Sequence, residues 1–413
     1  MIKFIRNNLF PLHKYDIRSC CFPLLILVYI LGFIGVYLIY MLDINEKQLI
    51  KQGLYQKQIL AYGIGIFLIL FFALLDYHFI AKMAPLIYLL GIGLLFICKW
   101  VDKPPIYGWA HYTARRWIKI GGDPSLGINN PGFEFQPSEV VKVAIVVSLA
   151  MFFYKVHKYI KKLWVLVLAM IITAFPLVFI FDQPDLSTTI LIISVFSVMV
   201  LISGVSYKYI ITFLVIFIPT AIFMFWYVQQ DFQVILTEYQ QNRVLAMLHP
   251  EDFPELTYQQ QNAETAIKSG GLAGKFMNGI EADRASRTVP VRESDFIFSS
   301  LAEEFGFIGS VVVLILYLFV ILLIIRIARK ANDYLGRMIA TGFGSMFLIQ
   351  IFINIGVVTS LLPNTGIALP FMSSGLSSLL VNLLMVGIVL NISMQPKKTE
   401  KPREESELGF IDV

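Results

Sequence analysis

Charge is scarce in this chain. Only 15% of its 413 residues are Asp, Glu, Lys or Arg, against 57% hydrophobic and 14% aromatic residues, a balance that excludes a water-soluble domain of this length. Cysteine is scarcer still: Cys20 and Cys21 are adjacent and Cys98 is remote, so a disulfide framework is excluded, and no CxxC or Cys/His spacing offers a structural metal site. GxSxG is absent; its nearest approach, SSGLSS at 373–378, reads as a turn before a helix that Ser377 or Ser378 could cap. GGLAGK at 270–275 lacks the spacing and the hydroxyl residue of a phosphate-binding loop. The net charge of +5 implies no nucleic-acid partner, because the basic residues concentrate in short loops between apolar runs, as cytoplasmic loops do.

What the chain has is apolar length. Runs of about 17 to 25 residues, each sufficient to cross a hydrocarbon core of roughly 30 Å, fall near 20–41, 59–75, 80–98, 138–154, 163–181, 186–204, 209–228, 306–325, 338–359 and 375–394. The expectation is an all-α polytopic membrane protein of about ten transmembrane helices, in one integral domain over 1–413. The stretch near 20–41 is too long for a signal-peptide core and reads as an uncleaved first span. Basic residues gather at the N-terminus (about 1–19), in KVHKYIKK at 155–162, in RIARKANDYLGR at 326–337 and in the tail at 396–413, which places both termini in the cytoplasm. The tail is polar and expected to be mobile. Two long loops, 99–137 between spans three and four and 229–305 between spans seven and eight, then face outward.

The unusual residues lie in those loops. Arg115, Arg116 and Lys119 bracket Trp117. Pro137 suits the first turn of a helix and Glu139 favours the positive end of its dipole. Lys142 shares a face with Ser138 and Glu139, about one turn into the membrane; it is either a snorkelling partner in an interfacial ion pair or a cation facing a cavity that holds an anionic group. Asp182 and Asp185 flank Pro184 in a turn and read as an acidic hairpin cap, with a second site as the alternative. The larger loop carries Arg243, His249, Lys268 and Lys275. His249, with no partner at readable spacing, reads as solvated. Gly270, Gly271 and Gly274 permit a tight backbone path beside a ligand or a neighbouring helix.

The densest cluster is VPVRESDFIFSSLAEEFGFIG at 289–309. On a helix over 295–305, Asp295, Ser299 and Glu303 share a face, but Glu303 lies roughly 12 Å further along the axis, too far for two carboxylates to flank one bond. Asp295 therefore acts alone as a base or merely caps the helix, with Ser300 and Glu303 forming a capping box for a later start. Arg292 beside it would keep the carboxylate ionised, as a base requires.

RRWIKIG, FQPSEVVK, QPDLSTT, YQQNRVLAML, YQQQNAETAIKSGGLAGK, the 289–309 segment and LPNTGIALPFMSSGLSS occur in this order. The chain resembles, over almost its whole length, the SEDS family (shape, elongation, division and sporulation) of polytopic peptidoglycan polymerases, and its RodA branch most. The resemblance implies glycan-strand polymerisation from lipid II, with Asp295 as general base. It implies substrate contacts from Arg116, Trp117, Gln136, Ser138, Glu139 and Lys142; Arg116, Lys142, Arg243 and Lys275 are candidate cations for the pyrophosphate. Asp295, Lys142 and Arg116 are expected to line one cavity. No cofactor is certain; a divalent cation (Mg or Mn) could share the task, its ligands unknown. The implied partner is a class B penicillin-binding protein, the location a bacterial plasma membrane with the site on its outer face, and the role elongation. A lipid II flippase and a non-catalytic scaffold are the rival readings. Val291 and Ser294 depart from the frequent Glu and Thr, Ser187 and Lys268 from Gly, SSGLSS from SYGGSS, and the loop at 121–134 is lengthened.

Overall fold

A computed structural model describes residues 15–44, 53–111, 114–122, 133–183, 185–230, 232–235, 238–276, 284–364 and 366–395. The start of the basic N-terminus, most of the lengthened 121–134 loop, Pro184 and the tail lie outside the described residues. In chain order the helices are α1 (Phe22–Ile44), α2 (Leu54–Leu74), α3 (Tyr77–Lys82), α4 (Ala84–Trp100), α5 (Pro137–Lys155), α6 (Leu163–Asp182), α7 (Leu186–Ser203), α8 (Tyr207–Tyr227), α9 (Glu238–Leu248), α10 (Pro254–Gly270), α11 (Ile297–Lys330), α12 (Tyr334–Val358) and α13 (Leu376–Met394). Eight of them, α1, α2, α5, α6, α7, α11, α12 and α13, are long and apolar enough to cross a membrane. The third and seventh expected spans fall on the shorter apolar stretches Ala84–Trp100 and Ile218–Tyr227. The windows of α5 and α12 are 78% and 72% buried, against 33% for α2, α6 and α11, so these two helices form the centre of the bundle.

Two features depart from the expectation. The first outer loop folds as a three-stranded antiparallel sheet of β1 (Ile106–His111), β2 (Ala114–Ile120) and β3 (Phe133–Phe135). Its register sets Trp109 opposite Trp117 and Tyr107 opposite Lys119. Aromatic and β-branched residues favour such pairing, and the buried Lys119 ammonium is held by Glu134 at 2.7 Å and by the Trp109 ring at 4.5 Å. The second departure is α11, which starts at Ile297 instead of near 306 and is broken at Gly306 (φ 66°, ψ −166°).

That break lets another backbone in. Lys275 N donates to Glu303 O, Phe307 N to Gly271 O, and Ile308 N to Leu272 O. A Cβ at Gly274 (φ +78°) would stand 2.2 Å from Glu304 O, and one at Gly270 would stand 2.1 Å from Ala302 O. The glycine clusters therefore serve the close approach of a neighbouring helix. The charges at the break are internal too. Glu303, 0% exposed, accepts from Ser269 Oγ, Lys275 Nζ, Ala285 N and Ser286 N at 2.7–2.8 Å, and Arg284 pairs with buried Glu304. A buried carboxylate is tolerable with that many donors and costs several kcal/mol without them.

At the opposite end of the bundle, His78 bridges Asp76 (2.8 Å) and Asp333 (2.7 Å). Asp333 also accepts from Tyr77 Oη and caps α12 through Gly336 N, which fastens α3 to α12. Burial alone would depress the imidazole, but the hydrogen bonds to Asp333 and Asp76 outweigh it and hold His78 up to about 9, above its ordinary 6.5.

Two measurements check this packing. Gly274→Ala is expected to lower stability by about 2 kcal/mol or more, read by thermal unfolding in detergent, while Gly93→Ala, with nothing within 4 Å of its Cβ, is expected to be neutral or slightly stabilising; equal melting of the two would contradict the close crossing. Because the His78 pKa is raised on folding, its contribution is complete below the ordinary value and is lost as pH rises through about 9. The melting temperature is expected to fall between pH 7 and 10, and His78→Phe to flatten that fall.

Candidate active site

Asp295 lies in the turn that leads into α11. It does not cap the helix: the N-cap is Phe296, with no side-chain cap bond. Nor does a later start with a capping box occur, since Ser300 is inside the helix with its Oγ buried and without a partner. The turn is strained, because Val291 holds φ 54°, a region that β-branched residues avoid and that tends to persist where surrounding structure imposes it.

The surroundings are the segment 366–375, which passes between α12 and α13. Asn354 Nδ2 donates to Asp295 O at 2.8 Å and to Ile367 O at 2.7 Å. Ser373 Oγ donates to Ser294 O at 2.7 Å, and Ser374 N to Glu293 O at 2.9 Å. The segment is itself held from behind: Tyr62 donates to Phe371 O, Tyr317 to Pro370 O and Gln58 Nε2 to Ser373 O. All three donors are buried side chains of α2 and α11. Backbone carbonyls threaded among apolar helices have no water to bond, so side chains must supply donors. Phe371 sits at φ 67° within this segment.

The Asp295 carboxylate is half-buried. Its Oδ1 accepts from Ser294 Oγ at 2.8 Å, and its Oδ2 faces Gly366, where a Cβ would stand 3.1 Å away. Burial raises its pKa above the ordinary carboxylate range. The Ser294 hydrogen bond and the charges of Arg243 and Arg116 oppose that rise, and Glu293 adds to it. The cations that act on Asp295 therefore come from α9 and β2. Arg292, expected to fill that role, is buried and donates to Ser286 O at 3.2 Å, and the net shift is upward, not toward a strongly ionised carboxylate.

The other expected residues divide between this site and its frame. Arg116 also donates through Nε to Gln183 O at 2.9 Å. Gln136 N approaches Ser377 Oγ at 3.4 Å, joining the start of α5 to that of α13, and its side chain reaches Asp185 Oδ2 at 3.4 Å. Asp185 caps α7 through Thr188 N and also accepts from the Ser187 and Thr188 hydroxyls, so the capping reading holds; Asp182 pairs with Lys99 at 2.6 Å. Lys142 and Glu139 form a 2.8 Å pair at 2% and 7% exposure, so this lysine is enclosed within the bundle and does not snorkel. Beside them Ser138 Oγ is buried without a partner. Lys275 is paired with Glu303, Trp117 is half-buried in the sheet, and His249 is exposed. Asn354 lies outside the motifs of the sequence, and Gly366 and Ser373 lie within LPNTGIALPFMSSGLSS without an expected role at the site. The available signals were a lone Asn in an apolar span, where polar groups are expensive, and a glycine before IALP.

Among the described residues no group of three or more His, Cys, Asp or Glu side chains is placed to hold a metal ion. Around Asp295 the charged neighbours include two guanidinium groups, which repel a cation. The divalent-ion expectation finds no protein cage here.

Residues 18–398 match the family model FtsW/RodA/SpoVE, described as cell cycle protein. The chain is 34% identical over 316 residues to the probable peptidoglycan glycosyltransferase FtsW of Geobacter metallireducens, covering 75% of this chain and 77% of that one. It is 30% identical over 353 residues to the peptidoglycan glycosyltransferase MrdB of Escherichia coli, covering 84% and 88%. Among solved structures it is similar, at a TM-score of 0.70 and 25% identity over 92% of this chain and 98% of the other, to one from work on structural coordination of polymerization and crosslinking by a peptidoglycan synthase complex. The rod shape determining protein RodA of Thermus thermophilus shares the fold at a TM-score of 0.61 and 22% identity, covering 92% and 97%. The ten-run pattern, the ordered motifs and the bundle that gathers Asp295, Arg116 and Arg243 thus meet in one assignment: the chain belongs to the FtsW/RodA/SpoVE family, the SEDS proteins.

Proposed function

We propose that this protein is a peptidoglycan glycosyltransferase that polymerises glycan strands from lipid II, in partnership with a class B penicillin-binding protein, during cell-wall elongation. The observation that carries the reading is the Asp295 carboxylate, set in the turn before α11 with its Oδ2 against Gly366, its pKa raised by burial and lowered by the charges of Arg243 and Arg116. A carboxylate that is more basic than usual suits proton abstraction near neutral pH, and two guanidinium groups suit a pyrophosphate.

The chemistry follows. Asp295 accepts the proton of the 4-hydroxyl of the acceptor GlcNAc as that oxygen bonds to the anomeric carbon of the donor MurNAc. The bond from that carbon to the pyrophosphate oxygen breaks on the opposite face, so configuration inverts. The electron pair leaves with the pyrophosphate, whose charge Arg116 and Arg243 offset. Lys142 and Lys275 neutralise Glu139 and Glu303. The basic segments 155–162 and 326–337 lie at the other end of the bundle, and the positive-inside rule then sets the Asp295 end on the outer face. An undecaprenyl tail there stays in the bilayer while its head group reacts.

Purified protein with its partner transpeptidase is expected to form glycan from lipid II, and Asp295→Asn to lower that rate by at least about 100-fold with partner binding intact. Undiminished polymerisation by the variant would remove the base assignment; lipid II crossing vesicles without polymer would favour a flippase. Activity is expected to fall on acidification as Asp295 takes up a proton. Since Arg243 lowers the Asp295 pKa, Arg243→Gln should move that acid limb to higher pH, and a shift to lower pH would contradict the arrangement.

A further inference from the structure

We infer that Asn354 is a positioning residue for Asp295: its side-chain amide fixes the backbone of the base against the 366–375 segment. The inference rests on the proposed role of Asp295.

Asn354 lies on α12, one turn before its end, and is 1% exposed. Both hydrogens of its Nδ2 are used, one on Asp295 O and one on Ile367 O, while its Oδ1 is buried without a partner. A polar side chain held in an apolar bundle with one end unsatisfied is a strong indication that the other end matters. The bond to Asp295 O acts on the one residue whose carboxylate must be set to within a fraction of an ångström of a hydroxyl proton. Across the turn, Gly366 (φ +72°) brings bare backbone to Oδ2, so the same amide that anchors Asp295 also anchors the segment bearing that glycine.

The bundle contains a second clamp of the same design. Gln260 Nε2 on α10 donates to Val357 O at 2.8 Å and Leu362 O at 2.9 Å. It ties the turn after α12 and makes no bond to Asp295. The two amides separate general reinforcement of this region from positioning of the base.

The groups that act on the Asp295 carboxylate are Ser294 and Glu293 on its own turn, Arg243 on α9 and Arg116 on β2, with Gly366 opposite. Release of the residue 295 carbonyl lets the carboxylate shift against the two guanidinium groups and against the burial that raises its pKa. Either change displaces the acid limb of the rate from its wild-type position.

The test is steady-state polymerisation of lipid II by the complex with its transpeptidase, across pH. Asn354→Leu is expected to lower kcat by about 10- to 100-fold, to leave KM within about twofold, and to displace the acid limb. Asn354→Gln, which keeps both hydrogens on a longer side chain, is expected to recover part of kcat. Gln260→Leu reports the loss of a comparable clamp and is expected to leave the limb in place. A wild-type kcat and limb in Asn354→Leu, or an equal limb shift in Gln260→Leu, would overturn the inference. If the Leu variant does not accumulate, Asn354→Ala, which removes both hydrogens with less bulk, decides: a reduced kcat with a displaced limb supports the role, and a wild-type profile rejects it. Asp295→Asn run in parallel separates the two levels, since an active Asp295→Asn defeats the base itself, whereas an inactive one beside a normal Asn354→Leu defeats only the positioning role.

Discussion

Backbone carbonyls and charges drawn into this apolar bundle need partners there, and the site is built from the ways in which they are supplied. The segment 366–375 runs among helices with its carbonyls away from water, and Gln58, Tyr62, Tyr317 and Asn354 reach it from α2, α11 and α12. Glu303 is buried at the break in α11 and receives four donors from the chain that the glycine cluster brings past it. Remove the glycines and the donors cannot approach; remove the donors and the carboxylate cannot stay. The turn carrying Asp295 sits between these two satisfied regions.

Asp295 differs from Glu303 in how completely it is matched. Its Oδ1 has one hydroxyl donor and its Oδ2 faces a glycine, so the desolvation is not cancelled and the pKa stays above the ordinary range. The arginines from β2 and α9 limit that rise without pairing it away. A carboxylate whose pKa is raised by burial suits the base role proposed for it, while Lys142 and Lys275 are each paired with a glutamate.

Much of this was legible in the sequence. The apolar runs gave the helices because a bilayer-length run admits few other structures, and helix geometry separated Asp295 from Glu303. The glycines at 270–274 announced a close approach. Other features depend on contacts between distant segments. Arg292 is three residues from Asp295 yet turns to Ser286, whereas Arg116 and Arg243, remote in sequence, act on it. Lys142 and Glu139 are one turn apart, but burial of the pair depends on the helices that surround α5. The small sheet was masked by the membrane character of the chain, although WIKI carries the aromatic and β-branched residues that strands favour. Asn354 was one polar letter in an apolar span, and its two carbonyl partners lie 59 and 13 residues away.

The central claim is that Asp295, with Arg116 and Arg243, forms the reacting centre for a lipid-linked pyrophosphate sugar. Its most direct test is a structure of the inactive complex with donor and acceptor lipid II bound. The account predicts the acceptor 4-hydroxyl within about 3 Å of residue 295 and the donor pyrophosphate against Arg116 and Arg243. A pyrophosphate bound elsewhere, with residue 295 beyond reach of any sugar hydroxyl, would contradict it.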